Sequence, residues 1–165
     1  MRSLYLLAAS AVLALDQITK AVILARFSEE TMIPVIPGLF RLVRVENRGM
    51  AFGLLADSSS GFLFGLLVVL SVAALCLVSF LLWRNPLSPA YSAAGLALIL
   101  GGAAGNLVDR VARGKVVDFL DFYIGSYHWP AFNVADSAIV IGAGFLLLDL
   151  LGVRLPKPRA VSTKV

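Results

Sequence analysis

The chain has 165 residues, of which 59% are apolar and only 15% are charged, and its formal net charge is +4. Soluble domains usually carry about 25% charged residues, so this composition excludes an ordinary soluble domain and predicts an integral membrane protein. The basic residues cluster around the ends of apolar runs, which indicates membrane topology rather than nucleic-acid binding.

Four apolar segments are long enough to cross a bilayer as helices, which takes about 20 residues each. They cover residues 4–25, 62–83, 90–108 and 132–153. We therefore predict an all-α membrane protein, a bundle of four transmembrane helices that forms a single membrane domain over residues 1–165. The first segment is similar to a cleavable signal peptide, but Asp16 and Lys20 continue its helical spacing, which favours a retained span.

The two long connections, residues 26–60 and 111–131, lie on the same side of this predicted bundle. Pro34 and Pro37 exclude a helix in the first connection, and the β-prone run 40–45 (FRLVRV) predicts a short sheet or an interfacial flap. Basic residues are denser in the short stretches on the side of the termini. This distribution predicts cytoplasmic termini and two extracytoplasmic connections.

Polar side chains recur at helical spacing within or beside three of the four predicted spans. They are Asp16 and Lys20 in the first span, Gly102, Asn106 and Arg110 on one stripe of the third with Asp109 beside it, and Asn133, Asp136 and Ser137 on one face of the fourth. Hydrocarbon forces polar groups inward, toward one another or toward a wet cavity. We expect these side chains to meet inside the bundle.

Several of these polar groups also have a purely structural interpretation. Asp16 and Lys20, four residues apart, suit an internal ion pair. Asn133 stands where the N-cap of the fourth helix is expected. Asp109 and Arg110 are equally compatible with interfacial charges at a helix end.

Asp118 and Asp136 are the pair that the residues favour for chemistry. Each stands beside an apolar segment, where an ionised carboxylate is costly and is retained for function. Two carboxyl groups that share a site do not both ionise easily, so one can act as an acid while the other activates water. That is the chemistry of an aspartic protease, which needs no metal or other cofactor. Asp121, nearby in sequence, is interpreted as a solvated loop carboxylate.

Two other classes of function stay open on the residues alone. A small membrane transporter or proton-pathway subunit would use Asp16, Lys20, Asp118 and Asp136 as a relay. A structural bundle would use the polar groups at helix ends as caps and anchors. The gathering of Asp118 and Asp136 on one side of the membrane disfavours a relay through the whole bilayer.

Five short blocks follow one another along nearly the whole chain. They are residues 15–20 (LDQITK), 46–52 (ENRGMAF), 101–110 (GGAAGNLVDR), 116–119 (VVDF) and 130–137 (PAFNVADS). Together they resemble the lipoprotein signal peptidases (signal peptidase II), which are membrane aspartic endopeptidases of bacteria. Arg48 and Met50 fill variable positions of the second block, a mild departure that leaves Asn47 and Gly49 in place.

The resemblance implies that Asp118 and Asp136 are the catalytic dyad. It also implies a set of residues that support the site or the structure around it. We add Gly49 and Asp109 to this set because they stand in the same sequence blocks. That set is Asp16, Lys20, Asn47, Gly49, Asn106, Asp109, Arg110 and Asn133.

The resemblance further implies a substrate, a location and an architecture. The substrate is a prolipoprotein whose cysteine carries a diacylglyceryl group, and cleavage falls just before that cysteine. The location is the bacterial cytoplasmic (inner) membrane, with both termini in the cytoplasm and the dyad near the outer face. Residues 26–60 are expected to form a β-like cradle and residues 111–131 a lid loop over the dyad. We expect a monomer that contacts membrane lipid and uses no metal, cofactor or nucleic acid.

Overall fold

The computed structural model describes residues 2–48, 61–84 and 90–153. Four helices and four strands lie in these ranges: α1 (Arg2–Arg26), β1 (Met32–Ile36), β2 (Phe40–Asn47), α2 (Gly61–Arg84), α3 (Ala90–Arg113), β3 (Val116–Ile124), β4 (Tyr127–His128) and α4 (Val134–Leu150). Gly49, from the predicted supporting set, lies outside the described residues.

Three of these helices, α1, α2 and α3, are long and apolar enough to cross a membrane. The fourth, α4, has 17 residues, which is at the lower end of the lengths that span a bilayer, about 17–25 residues. The count of four membrane-crossing helices therefore stays a prediction, and three of the described helices meet the requirements of length and hydropathy. In addition, α3 continues to Arg113 rather than ending at residue 108, and this longer helix carries Asp109 and Arg110.

Helix α3 is the centre of the bundle and packs against α1, α2 and α4. Small residues on α3 allow its two closest neighbours to approach. A Cβ placed on Gly102 would lie 2.4 Å from the carbonyl oxygen of Ala135 in α4, and one on Gly101 would lie 2.5 Å from that of Ala9 in α1. This close packing brings the polar faces of the three helices together.

Gly102→Ala is expected to destabilise the protein by about 1–3 kcal/mol, because the added methyl group meets backbone of α4 that cannot yield without moving the helix. The matched control is Gly144→Ala in α4, where an added Cβ has nothing within 4 Å. That change replaces a helical glycine by a better helix former and should be neutral or stabilising. Thermal unfolding of the purified proteins in detergent measures both, and equal melting temperatures for the two variants would contradict the prediction.

An antiparallel sheet with strand order β1-β2-β3-β4 stands at one end of the bundle. In the sequence, β1 and β2 come directly after α1, and β3 and β4 lie between α3 and α4. Strand β2 contains the β-prone run 40–45, so the predicted short sheet is confirmed. The register of β2 on β3 places Val45 opposite Asp118 and Asn47 opposite Val116.

Residues 111–131 differ from the lid loop predicted for them, and the chain is therefore not all-α. Most of this segment is β3, which pairs with β2 on one edge. On its other edge Leu120 exchanges backbone hydrogen bonds with Phe132, at 2.9 and 3.1 Å. The first four residues of β3 are all buried, and two of them, Val117 and Phe119, pack against Ile23 of α1. A strand buried on both faces shows no alternation of apolar and polar residues, so its sequence does not look like a strand.

Candidate active site

Asp118 lies on β3 at the point where the sheet meets the helices, and only 3% of its surface is exposed. Both of its carboxylate oxygens accept hydrogen bonds from asparagine side chains. Asn133 Nδ2 donates to Oδ1 at 2.7 Å, and Asn47 Nδ2, at the end of β2, donates to Oδ2 at 3.2 Å. The carboxyl group is thus held by residues from two elements that neighbour β3.

Asp136 is half-buried in the first turn of α4, where it forms a capping box with Asn133. The backbone N–H of Asp136 donates to Asn133 Oδ1 at 3.0 Å, and the backbone N–H of Asn133 donates to Asp136 Oδ2 at 3.2 Å. Asn106 Nδ2, from α3, donates to the other oxygen, Oδ1, at 2.7 Å. Asn133 is therefore the N-cap that its position predicts, and it also contacts Asp118, so one residue links both aspartates.

Both aspartates line one cavity of about 510 Å³ between the sheet, α3 and α4. Asn47, Asn106 and Arg110 line it as well. The rest of its wall is mostly apolar and consists of Val116, Trp129, Pro130, Ala131, Phe132, Val140 and Ile141, with Ser137 beside them. Within the described residues, no group of three or more His, Cys, Asp or Glu side chains is placed to hold a metal ion.

The two carboxyl groups differ in their surroundings, and this affects the proton on Asp118. Burial raises the pKa of Asp118 to about 6, and the nearby charge of Asp136 contributes to the increase. The hydrogen bonds from Asn47 and Asn133 act in the opposite direction, because they stabilise the ionised form. Asp118 therefore keeps a proton at a pH where an ordinary aspartate is ionised.

Lys20 is fully buried beneath this site, and its ammonium group organises the predicted supporting residues. Its Nζ lies 2.9 Å from Asp16 Oδ2, 2.8 Å from Asp109 Oδ2 and 3.0 Å from Asn106 Oδ1. Because the amide oxygen of Asn106 faces Lys20, the amide nitrogen faces Asp136. The predicted ion pair of Asp16 and Lys20 is present and is one part of a larger network.

The two carboxylates that bind Lys20 each hold the backbone beside one of the two aspartates that line the cavity. Asp16 Oδ1 accepts from the N–H of Ala135, the residue before Asp136, at 3.0 Å. Asp109 Oδ2 accepts from the N–H of Val117, the residue before Asp118, at 3.2 Å. Both carboxylates are fully buried, so Asp109 is an internal anchor of β3 rather than an interfacial charge.

Arg110 also lines the cavity, and its NH1 donates to the backbone oxygen of Asn106 at 3.3 Å. Two partly buried residues that sequence reasoning missed extend this network at Asp109. Gln17 Nε2 donates to Asp109 Oδ1 at 3.2 Å, and Arg113 forms an ion pair with Asp109. The spacing of Asp109 and Arg113, four residues apart on one helix, is a signal from which that pair could have been predicted.

A charged cluster that the sequence did not single out holds the end of β2. The Glu46 carboxylate accepts from Arg44 NH2 at 2.6 Å and forms an ion pair with Lys115, next to β3. Hydrogen bonds from Lys115 and Arg44 lower the pKa of Glu46. Arg44 NH1 also donates to the backbone oxygen of Phe27, just after α1, at 2.8 Å. Because Glu46 precedes Asn47, this cluster fixes the strand end from which Asn47 reaches Asp118.

Asp121 is not the solvated loop carboxylate that the sequence predicted. It lies within β3, is 5% exposed and pairs with Arg41 across the sheet at 2.6 Å. The prediction was wrong because it depended on residues 111–131 being a loop.

Comparison with known proteins identifies the family to which this architecture belongs. Residues 8–152 match the family model described as signal peptidase (SPase) II. The chain belongs to the signal peptidase II family. The resemblance carried by the five sequence blocks is thereby confirmed, and the match includes α3, β3 and the beginning of α4, which carry the residues around the cavity.

Relatives in the signal peptidase II family cover most of the chain. The lipoprotein signal peptidase of Solibacter usitatus is 50% identical over 143 residues, 87% of each chain. That of Syntrophus aciditrophicus is 45% identical over 148 residues, 90% of this chain and 92% of its own.

Two solved structures of bacterial membrane enzymes share the fold. One, determined at 2.3 Å by the in meso method, has a TM-score of 0.80 and 27% identity and covers 95% of both chains. The other, at 1.9 Å, has a TM-score of 0.80 and 29% identity and covers 92% of this chain and 95% of its own. The helices and the small sheet therefore form an architecture that membrane enzymes use.

Proposed function

We propose that this protein is an aspartic endopeptidase that removes the signal peptide from diacylglyceryl-modified prolipoproteins and cleaves just before the lipidated cysteine. The observation that supports the chemistry is a single cavity lined by Asp118 and Asp136, in which all four carboxylate oxygens accept hydrogen bonds from asparagine residues. The substrate class comes from the relatives, which are lipoprotein signal peptidases.

The proposed reaction begins with a water molecule held between the two carboxyl groups. The water attacks the scissile carbonyl carbon and gives a proton to ionised Asp136, while protonated Asp118 donates its proton to the carbonyl oxygen. The tetrahedral intermediate then loses its hydroxyl proton to Asp118, the C–N bond breaks, and Asp136 protonates the leaving amine of the cysteine. Both groups return to their initial states. Asp118 takes the acid role because burial and the nearby charge of Asp136 raise its pKa.

The surroundings of the dyad are suited to the proposed substrate. Asn106 and Asn133 fix the geometry of the carboxyl groups, and Arg110 in the cavity wall is a cationic group available to the developing oxyanion. The apolar wall formed by residues such as Val140 and Ile141 suits an acyl chain or the apolar part of a signal peptide.

The proposed orientation places both termini in the cytoplasm and the sheet with the dyad near the outer face of the cytoplasmic membrane. Three apolar helices support the membrane location, and the density of basic residues near the termini supports the orientation. In this arrangement a monomer meets its lipid-anchored substrate from the side, through the cavity between α3, α4 and the sheet. We propose no cofactor, because two carboxyl groups and water suffice for the reaction.

The function is tested by cleavage of a synthetic peptide that contains a lipobox with a diacylglyceryl cysteine, using the purified full-length protein in detergent. We expect one cut, and mass spectrometry should identify a product that begins with the lipidated cysteine. The matched control is the same peptide with an unmodified cysteine, which should not be cleaved. No cleavage of the lipidated peptide, or a cut at another bond, would overturn the proposal.

The pH dependence of cleavage should follow the proton on Asp118. Because the reaction needs this proton and the pKa of Asp118 is about 6, kcat/KM should fall as the pH rises through that value. Asn47 donates to the ionised carboxylate, so Asn47→Ala should raise the pKa and move the decline upward by about one pH unit. The control variant Glu30→Gln, at an exposed position, should leave the pH profile of kcat/KM unchanged. If the decline in kcat/KM for Asn47→Ala occurs at the same pH or at a lower pH, its assignment to the proton on Asp118 is contradicted.

A further inference from the structure

A second cavity, of about 380 Å³, lies on the sheet next to the site that contains the dyad. Arg41, Asp121 and His128 contribute polar side chains to its lining, and Glu29, Thr31, Met32, Val43, Arg44 and Val45 line other parts of it. Residues 129–131 (WPA) line both cavities. These three residues therefore form a wall between the two cavities. The second cavity lies on the side of this wall that faces the sheet.

Arg41, Asp121 and His128 form one hydrogen-bonded cluster in this second cavity. Arg41 Nε donates to Asp121 Oδ2 at 2.6 Å, and His128 Nδ1 lies 3.1 Å from both Asp121 oxygens. The guanidinium carbon of Arg41 also lies over the ring of Tyr123, 4.9 Å from the centroid, a cation–π contact that favours this position of the side chain. The His128 side chain is 40% exposed and that of Arg41 is 23% exposed. The cluster thus holds its shape and still presents both a donor and an aromatic ring to a ligand.

The balance of charge in the cavity decides which chemistry it fits. Arg41 and Arg44 provide positive charge, and Glu29 and Asp121 provide negative charge. A phosphate or another anion would meet the two carboxylates, which disfavours a lipid headgroup as the occupant. An extended polypeptide carries alternating N–H donors and C=O acceptors along its length, and a surface with both kinds of partner matches it.

We propose that the second cavity binds the first residues of the mature polypeptide, those that follow the lipidated cysteine, and so contributes to substrate specificity. This inference rests on the proposed function, because it extends the same substrate from the dyad across the wall formed by residues 129–131. The cavity lies on the sheet, at the end of the bundle where the mature chain must leave the membrane. Because residues 129–131 line both cavities, a substrate that continues past the scissile bond meets the second cavity directly beyond this wall.

The test compares two diacylglyceryl peptides that share the lipobox. The short peptide ends one residue after the cysteine, and the long peptide continues for about six residues. Met32→Trp fills the second cavity from an exposed position on β1, and His128→Ala removes part of its cluster. Val35→Trp places the same side chain on the same strand, at an exposed position that does not line the cavity.

We expect Met32→Trp and His128→Ala each to lower kcat/KM for the long peptide by about tenfold, mainly through KM, and to leave the short peptide unchanged. Val35→Trp should change neither value. Equal effects on both peptides, or no effect on the long one, would overturn the inference while cleavage by the unaltered protein still supports the proposed function. If the unaltered protein cleaves neither peptide, both proposals fail. If the variants change the response to anionic phospholipid in the micelle instead of the response to peptide length, the cavity is a lipid site and the inference is wrong.

Discussion

Asp118→Asn and Asp136→Asn are each expected to lower kcat for cleavage of a diacylglyceryl prolipoprotein by about 10⁴-fold. An asparagine side chain neither accepts nor releases a proton at neutral pH, and in the proposed reaction each aspartate transfers a proton in both halves of the cycle. The double variant should lose little more than either single variant, because the two groups act as a unit. The measurement is single-turnover cleavage of the lipidated lipobox peptide.

Both variants should stay folded, so the loss should be in chemistry rather than in structure. Each substitution exchanges one acceptor oxygen for an amide that faces a donor, which costs about 1 kcal/mol for one hydrogen bond. The control is Asp149→Asn, at an exposed position at the other end of α4, which should cleave normally. Normal turnover by either dyad variant would end the aspartic mechanism.

Lys20→Met is expected to lower the free energy of unfolding by about 3–5 kcal/mol, which is typical of removing one partner from a buried ion pair. The variant leaves Asp16 and Asp109 fully buried without their shared cation. It also frees the amide of Asn106, whose orientation depends on Lys20. Denaturant or thermal unfolding of the purified protein in detergent measures the loss.

The matched control is Arg26→Met, which removes an exposed cation from the end of the same helix and should change stability by less than about 0.5 kcal/mol. Adding Asp16→Asn to Lys20→Met should recover part of the stability, because Asp16 is then no longer a buried carboxylate without a cation, whereas Asp109 keeps its ion pair with Arg113. A Lys20→Met variant as stable as Arg26→Met would show that the network contributes nothing to folding.

Lys20, Asp118 and Asp136 belong to one connected set of contacts. The carboxylates that bind Lys20 also accept from the backbone of Val117 and Ala135, the residues directly before Asp118 and Asp136. A single buried cation thus stabilises the two contacts that hold the ends of β3 and α4 side by side. Loss of Lys20 should therefore reduce cleavage as well as stability, although no atom of Lys20 is proposed to touch the substrate.

Local sequence patterns were enough to predict several parts of this protein. Composition and the lengths of apolar runs predicted the membrane helices, because the cost of placing charge and unpaired backbone in hydrocarbon leaves few alternatives. The spacing of Asp16 and Lys20 predicted their ion pair, and the position of Asn133 predicted the N-cap of α4. The ion pair and the N-cap each depend on residues within about one turn of helix, where the geometry follows directly from the chain.

Only the tertiary structure decided which distant residues meet. Asn47 reaches Asp118 across 71 positions of sequence, and Asp16 reaches the backbone of Ala135 across 119 positions. The strand at residues 116–124, predicted as a lid, is defined by its pairing with β2 and its burial against α1. That burial also put Asp121 inside an ion pair rather than in water. Such contacts depend on how separate elements pack, and the spacing of residues along one element carries no information about the element that will lie against it.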